Sequence, residues 1–518
     1  MCVCVCISGL NAQQAAECPM IGCSSSGSFS FQSLLSVHAD KVAVLWVTQL
    51  SSLPLPSTSQ LGCVTDGGHV VCPTISGYVS LDPKTGNILW NRPLRQATLP
   101  VMNALGDVIG CNGTFLEKID SEGTVVKPVI LLYPPLSPIY SLIATDDNAI
   151  LIASENGSLV AYETNGVPLA SRRLRGTVER INGTFKPIAV PVIAGHRAYV
   201  ITQFVPDPGQ FIPHTKKMQR LYAVDILQVM VNKLRIKWVF NFEAEKHRPK
   251  VNQPINNEIC HDPVLLYDEG IIYISLTPPT GCSVNSNTYI WALRDEGSSA
   301  TVVFKKVLAP SDLAKFPQTE STSASKLNGF VQMWSSDNEE RKSRFRLKNR
   351  KRSNGPLSDR SNTNPIRGMS LLWTVSKQGK EILGLNPTTG YVMSTIHVAA
   401  ILQVQSVLIT SKVMVTRTTS GQDVLIFGVK VSNQSKTQAK NMLVCIQIPQ
   451  PITPMEPVLL WQVPSPKGGE IIGQIIPVSL LPANKVATLK YEKQIMALVS
   501  MEVNTNGEYV FAVSQSVY

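Results

Sequence analysis

The sequence predicts an all-β chain built as a closed ring of short four-stranded sheets, on three observations. A strand-turn-strand phrase recurs: Leu81–Trp90, LDPKTGNILW, runs an apolar strand end into a turn and back into a second apolar strand. Similar phrases stand at Leu159–Leu169, Ile382–Met393 and Met496–Phe511, with weaker copies at Leu116–Val126, Leu221–Trp238, Ile290–Phe304 and Val424–Trp461. A further pair of β-type runs precedes most copies, at Gly62–Pro73, Tyr140–Ala153, Ile188–Gln203 and Val264–Leu276. Each unit then reads as four strands at a spacing of roughly 40 residues where loops are short, the period of a propeller blade. One such unit leaves both sheet faces bare, so neighbours must stack radially. A single β-propeller of about eight blades follows, with seven as the alternative.

Within the repeated phrase each residue has a local reason. Asp82 caps backbone N–H groups at the start of the turn and Pro83 pre-sets its own φ. Gly86 supplies the left-handed position that closes the turn, and Trp90 is large enough to wedge between neighbouring sheets. The clearer copies place Gly86, Gly123, Gly166, Gly297, Gly390 and Gly507 at comparable turn positions.

The N-terminus, MCVCVCISGLNA, has the short apolar run and small residues of a secretory signal, with cleavage expected after Ala12. Residues 13–31 are expected to be a flexible segment, and 32–518 the propeller. Three cysteines lie in the signal, which leaves an even number: Cys18, Cys23, Cys63, Cys72, Cys111, Cys260, Cys282 and Cys445. Cys63 and Cys72 flank a short hairpin and Cys260 with Cys282 can bridge adjacent strands, which makes both pairs disulfide candidates; buried free thiols are the alternative. Before the first clear unit stands one strong strand, Val42–Thr48. It is expected to complete the blade that contains Met496–Val510 and so close the ring.

A hydrophobic content of 44% with 16% charged residues suits a large, well-buried β structure, and 35 Pro with 33 Gly suit one with many turns. No apolar run reaches the roughly 18 residues that cross a bilayer, so no transmembrane segment is expected. The net charge of +11 is local: Arg341, Lys342, Arg344, Arg346, Lys348, Arg350, Lys351 and Arg352 supply eight positive charges. They fall in a polar stretch, about 311–364, with no strand pattern apart from Gly329–Trp334, and this stretch is expected to be a disordered insertion between two propeller units. The run reads as a solvated loop, a convertase cleavage site or a patch for an anionic partner. Specific nucleic-acid binding is not expected, since Phe345 alone offers a stacking group. Four sequons, at Asn112, Asn156, Asn182 and Asn433, are candidate glycosylation sites at the number chance allows.

LDPKTGNILW resembles the repeat signature AxDxxTGxxxW of the quinoprotein (PQQ-type) alcohol dehydrogenase-like β-propeller superfamily, and LNPTTGYVM at 385–393 keeps its turn without the tryptophan. The resemblance implies an eight-bladed propeller. In the dehydrogenases of that family it also implies PQQ and Ca²⁺ at the axis, held beside a disulfide of two adjacent cysteines. No two cysteines are adjacent here, so the resemblance implies the fold without the chemistry.

No other catalytic constellation is visible. Seven histidines are scattered without metal spacing, and His261 next to Asp262 is the only immediate acid neighbour. There is no GxSxG, P-loop or GxGxxG, and GCSSSG at 22–27 lacks strand-helix context. No catalytic, cofactor-binding or metal-binding residue is expected. The expectation is a non-catalytic interaction or scaffolding platform, secreted or luminal, with an unidentified protein partner. The alternatives are a diverged quinoprotein dehydrogenase using PQQ and calcium, and a cytoplasmic chain.

Overall fold

The computed structural model of the chain describes residues 18–23, 27, 30–35, 42–52, 62–74, 77–93, 100–103, 106–111, 115–131, 139–144, 149–154, 156–163, 167–209, 218–226, 234–242, 264–276, 288–308, 330–332, 371–376, 379–418, 423–432, 440–448, 456–480 and 496–515. Two strands, β1 (Ser30–Leu35) and β2 (Val42–Ser51), precede the first blade. Blade 1 is β3 (Val64–Thr65), β4 (Val70–Thr74), β5 (Gly77–Leu81) and β6 (Ile88–Pro93). Blade 2 is β7 (Val101–Met102), β8 (Val108–Cys111), β9 (Phe115–Ile119) and β10 (Val125–Leu131). Blade 3 is β11 (Ile139–Ala144), β12 (Ala149–Ser154), β13 (Ser158–Glu163) and β14 (Pro168–Arg173). Blade 4 is larger: β15 (Arg175–Val178), β16 (Ile181–Pro187), β17 (Val192–Ala194), β18 (Arg197–Pro206), β19 (Gln219–Asp225) and β20 (Arg235–Asn241). Blade 5 is β21 (Val264–Asp268), β22 (Ile271–Leu276), β23 (Thr288–Asp295) and β24 (Ala300–Leu308). Blade 6 is β25 (Phe330–Gln332), β26 (Leu372–Val375), β27 (Glu381–Leu385) and β28 (Val392–His397). A single helical turn, α1 (Val398–Ile401), leads to blade 7: β29 (Ser406–Ile409), β30 (Met414–Thr418), β31 (Asp423–Ser432), β32 (Lys440–Gln447) and β33 (Val458–Pro464), with β1 added. Blade 8 is β34 (Glu470–Ser479), β35 (Met496–Asn504) and β36 (Gly507–Gln515), with β2 as its fourth strand.

These eight sheets form a ring. First strands of successive blades touch: β3 with β7, β7 with β11, β17 with β21, β21 with β25, β25 with β30 and β34 with β3, while β12 meets β16 and β31 meets β34 across the other two seams. The apolar core has the same form. Buried side chains cluster across seams, as Val64, Val71 and Tyr78 of blade 1 do with Met102, Val108 and Ile119 of blade 2. Trp46, Met501 and Val510 of blade 8 pack likewise on Val70 and Leu81 of blade 1. The chain is an eight-bladed β-propeller whose core is a circle of interblade seams.

Closure follows the sequence expectation. β2 pairs antiparallel with β36, from Val42 opposite Gln515 to Ser51 opposite Glu508, so the two ends of the chain share one sheet. No free edge remains for β36, which removes the template that an open ring would present. A second N-terminal strand, β1, was not legible in the sequence. It lies parallel to β30 in blade 7, Ser30 opposite Val415 and Leu35 opposite Thr418.

A β-bulge recurs near the outer turn of every blade, where the register between third and fourth strands slips by one residue. A bulge sharpens the twist and re-aims the residue after it. That residue is Trp90, Trp238, Phe304, Trp461 or Trp46 in five blades. Three seams then show the same join. A Cβ on Gly86 would lie 2.5 Å from the Trp46 ring, one on Gly123 2.6 Å from Trp90 and one on Gly390 2.5 Å from Phe304. The Trp46 indole donates to the Pro83 carbonyl at 2.9 Å and the Trp90 indole to that of Ser121 at 3.0 Å. The outer-strand aromatic of one blade thus seats on the turn glycine of the next.

Three expectations need correction. Gly507 does not occupy the position of Gly86: it closes the turn between the second and third strands of blade 8, because the fourth strand comes from the N-terminus. The polar stretch 311–364 contains β25, so the basic run falls in the connection between two strands of blade 6 rather than between blades; the run itself lies outside the described residues. Within the segment expected to be flexible, Cys18 is fully buried and Met20 nearly so.

If the aromatic-on-glycine join holds the seams, Gly86→Ala must cost more than Gly297→Ala. Both glycines sit in left-handed backbone, φ 71° and 87°, at equivalent turns, but nothing lies within 4 Å of a Cβ at Gly297. Urea unfolding should give about 1–2 kcal/mol for Gly297→Ala, the backbone term alone, and a clearly larger loss for Gly86→Ala. Deleting residues 42–51 should open the ring and give aggregates where the intact chain gives none, read by size-exclusion chromatography.

Candidate functional site

A propeller offers two places for chemistry, its axis and the loops on its faces. The described first strands ring the axis, and the N-terminal segment crosses it. Cys18 forms a backbone bridge with Thr65 beside blade 1, each N–H donating to the other's carbonyl at 2.9 Å. The carbonyl of Pro19 accepts from the Met102 N–H of blade 2 at 2.8 Å. Gly27 then lies across the ring, where a Cβ would meet the Leu265 carbonyl of blade 5 at 2.9 Å and Val192 of blade 4 at 3.0 Å. β1 finishes the crossing in blade 7.

One side chain knots this crossing to the ring. Gln474, on β34, is almost fully buried. Its Oε1 accepts the Gly22 N–H at 2.9 Å, and its Nε2 donates to the carbonyls of Cys63 at 2.7 Å and Met20 at 3.4 Å. A buried amide satisfied on both ends fixes the segment, since removing it would take the partner from the Gly22 N–H and the Cys63 carbonyl, while the Met20 carbonyl keeps the Cys23 N–H. Two disulfides flank it. Cys18 pairs with Cys23, S–S 2.02 Å, and Cys63 with Cys72, S–S 2.05 Å. Both join the same apolar seam between blades 8 and 1. Cys445 is a buried free thiol. Cys260 and Cys282 lie outside the described residues.

The space beside blades 1, 2 and 8 holds residues 18–23, and no pair of adjacent cysteines exists in the chain. Among the described residues no group of three or more His, Cys, Asp or Glu side chains is arranged to hold a metal ion.

The densest cluster of charge lies at the seam of blades 4 and 5. Asp295 ends β23, at the start of the outer turn of blade 5. Its Oδ2 accepts from Tyr199 Oη at 2.6 Å and Arg197 Nη1 at 2.7 Å, and its Oδ1 from Trp238 Nε1 at 2.9 Å and the Gly297 N–H at 2.7 Å. Burial pushes the Asp295 pKa up, but these donors outweigh it and hold the carboxyl below its ordinary value. Arg197 reaches back to Asp225 at 3.0 Å. With four donors already on its two oxygens, Asp295 has no lone pair aimed at a substrate. It pins a seam.

The predicted repeat residues are placed plainly. Asp82 caps its turn, accepting from the Lys84 N–H at 2.9 Å and Thr85 Oγ1 at 2.8 Å. Trp90, Gly86 and Gly390 sit in the seams described above, and Gly166 is outside the described residues. Of the sequons, Asn156 is folded into its own turn, where Oδ1 accepts from the Ser158 N–H at 2.9 Å, and Asn182 is exposed on β16. Asn112 and Asn433 lie outside the described residues. A second acidic group, Glu502, was not singled out from sequence. It is fully buried on β35 and its oxygens accept the backbone N–H groups of Lys467 at 3.0 Å and Gly469 at 3.2 Å, tying the blade 7 to blade 8 connection down.

Burial raises the Glu502 pKa to about 7, against the pull of those N–H groups. A carboxyl raised in the folded state adds stability that is full below its unfolded value and disappears as pH rises through about 7. Thermal midpoints should therefore fall between pH 5 and pH 8, and Glu502→Gln should flatten that part of the profile.

No protein-family model matches the chain, and no curated protein matches it. Solved structures do. BamB from Moraxella catarrhalis is 12% identical, covering 91% of this chain and 100% of its own, with a TM-score of 0.42. The Dos1 propeller is 9% identical, covering 93% and 97%, with a TM-score of 0.43. The C-terminal WD40 domain of Sif2 is 10% identical, covering 93% and 99%, with a TM-score of 0.41. Scores at this level have no bearing on activity or partners.

Proposed function

We propose that this propeller is a non-catalytic platform for protein interaction, working in a secretory or luminal compartment. The observation that carries the reading is the N-terminal crossing of the axis: the place where a propeller enzyme of the PQQ type holds its cofactor is taken, beside blades 1, 2 and 8, by the chain's own backbone and by Gln474. The best-connected described carboxylate, Asp295, is saturated with donors. What remains for function is a rigid ring that presents loops at set positions, which favours recognition at low ordering cost. The two disulfides support the compartment, because such bonds persist where the milieu is oxidising.

The rival reading is a diverged quinoprotein dehydrogenase. Purified protein incubated with PQQ and Ca²⁺ should show no saturable change in visible absorption, no dye-linked oxidation of alcohols or sugars and no rise in thermal midpoint. Binding with turnover would replace the platform reading by an enzyme. The compartment has its own test: non-reducing peptide mapping of protein from its native source should return the Cys18–Cys23 and Cys63–Cys72 linked peptides, and free thiols at all four positions would put the chain in the cytoplasm.

A further inference from the structure

Blade 4 departs from the four-strand plan by an added edge strand, β15, beyond the strand β16 that meets blade 3. Where the chain crosses from blade 3 to blade 4, β15 and β16 form a two-residue hairpin closed by Glu179 and Arg180, both at positive φ, 48° and 71°. β15 ends the sheet on the side opposite the outer strand β20, and no described strand pairs with its other edge. In such a hairpin Val178 and Gly176 exchange backbone hydrogen bonds with Ile181 and Gly183. The N–H and C=O groups of Arg175 and Thr177 therefore point away from β16, toward solvent.

The side chains around this edge are strongly basic. The stretch Ser171–Arg180, SRRLRGTVER, holds four arginines and one acid. Leu174 and Val178 are buried and anchor the hairpin, while Arg172, Arg173, Arg175, Thr177 and Arg180 are exposed. Arg175 pairs with Asp207. Among the described residues, Arg172, Arg173 and Arg180 have no acidic partner.

We infer that this edge docks an extended acidic segment of a protein partner, which adds to β15 as a further strand and sets its carboxylates against Arg172, Arg173 and Arg180. The inference rests on the interaction-platform reading and names its surface. Main-chain bonds from an added strand supply affinity, and charge matching supplies choice of partner. A second copy of this chain is disfavoured, because two such edges would bring identical arginines together. A lipid surface calls for apolar groups that insert beside the basic ones. The exposed neighbours here are Ser171, Thr177 and Asn182, and the exposed apolar residue of blade 4, Val239, lies on the outer strand β20, at the other end of the sheet from β15. Single-stranded nucleic acid calls for bare aromatic faces, whereas Phe185 is buried beneath Arg220, whose guanidinium lies 4.1 Å from its centroid.

The test uses the full chain and a fluorescein-labelled ten-residue peptide of alternating Glu and Val, followed by anisotropy. Binding is expected to weaken with salt. It should fall at least tenfold in the R172E/R173E/R180E triple variant, and comparably in Thr177→Pro, which removes an outward N–H while leaving the β15–β16 ladder intact. Unchanged thermal midpoints show that both variants fold. A loss in the arginine variant with none in Thr177→Pro would overturn strand addition. Tighter binding to phosphatidylserine vesicles or a thymidine 20-mer than to the peptide would overturn the choice of partner. Absence of peptide binding by the native chain would overturn the surface altogether, and cross-linking in the native source then separates the two readings: equal cross-linked species from native and triple-variant chains leave the platform standing on another face, and none from either removes the platform as well.

Discussion

The ring depends on one contact, the aromatic side chain that each of several outer strands sets on the turn of the next blade. A four-stranded blade has two apolar faces and no core of its own, so its stability is borrowed from its neighbours. The bulge before Trp46, Trp90, Trp238 or Phe304 aims the ring across the seam. A glycine such as Gly86 or Gly390 then lets the backbone come within reach of it. The indole N–H, which would be orphaned by burial, finds a turn carbonyl or the Asp295 carboxylate. Trp461 shows the rule by its exception. It points toward blade 8, whose third and fourth strands come from opposite ends of the chain and share no turn, and its buried N–H meets no acceptor.

The two chain ends meet in blade 8, and this arrangement accounts for more than closure. Because β2 is borrowed from the N-terminus, the segment before it must travel from wherever the chain starts to the outer edge of that blade. It does so through the axis, bridging blade 1, passing blades 4 and 5 and pairing with blade 7. Gln474 and the Cys18–Cys23 disulfide hold the near end of that path. The same route that closes the ring thus runs through its centre.

On the faces, elements that depart from the four-strand plan stand out. β1 in blade 7 is explained by the axial path. In blade 4, β16 meets blade 3 across the seam, while the far edge of β15 pairs with no described strand, and exposed arginines gather beside it. Asp295 and Glu502 illustrate the opposite case, acids whose oxygens are committed to holding strands and connections in place.

The sequence by itself determined the blade architecture, since alternating apolar strands with turn residues at a set offset are local signals, legible at Asp82, Gly86 and Trp90 without tertiary context. It also determined the closing strand, because Val42–Thr48 had no partner nearby. Only the tertiary structure decided that Gly507 belongs to a different turn and that residues 18–23 and 27 lie at the axis between distant blades. Each of these joins residues from distant blades or depends on which strand is missing from a unit, and a repeat read along the chain shows neither. Nothing in the sequence marked Asp295, whose four donors come from blades 4 and 5 together. The arginines of SRRLRGTVER were visible as letters, and only the tertiary structure showed that they stand beside the open edge of β15.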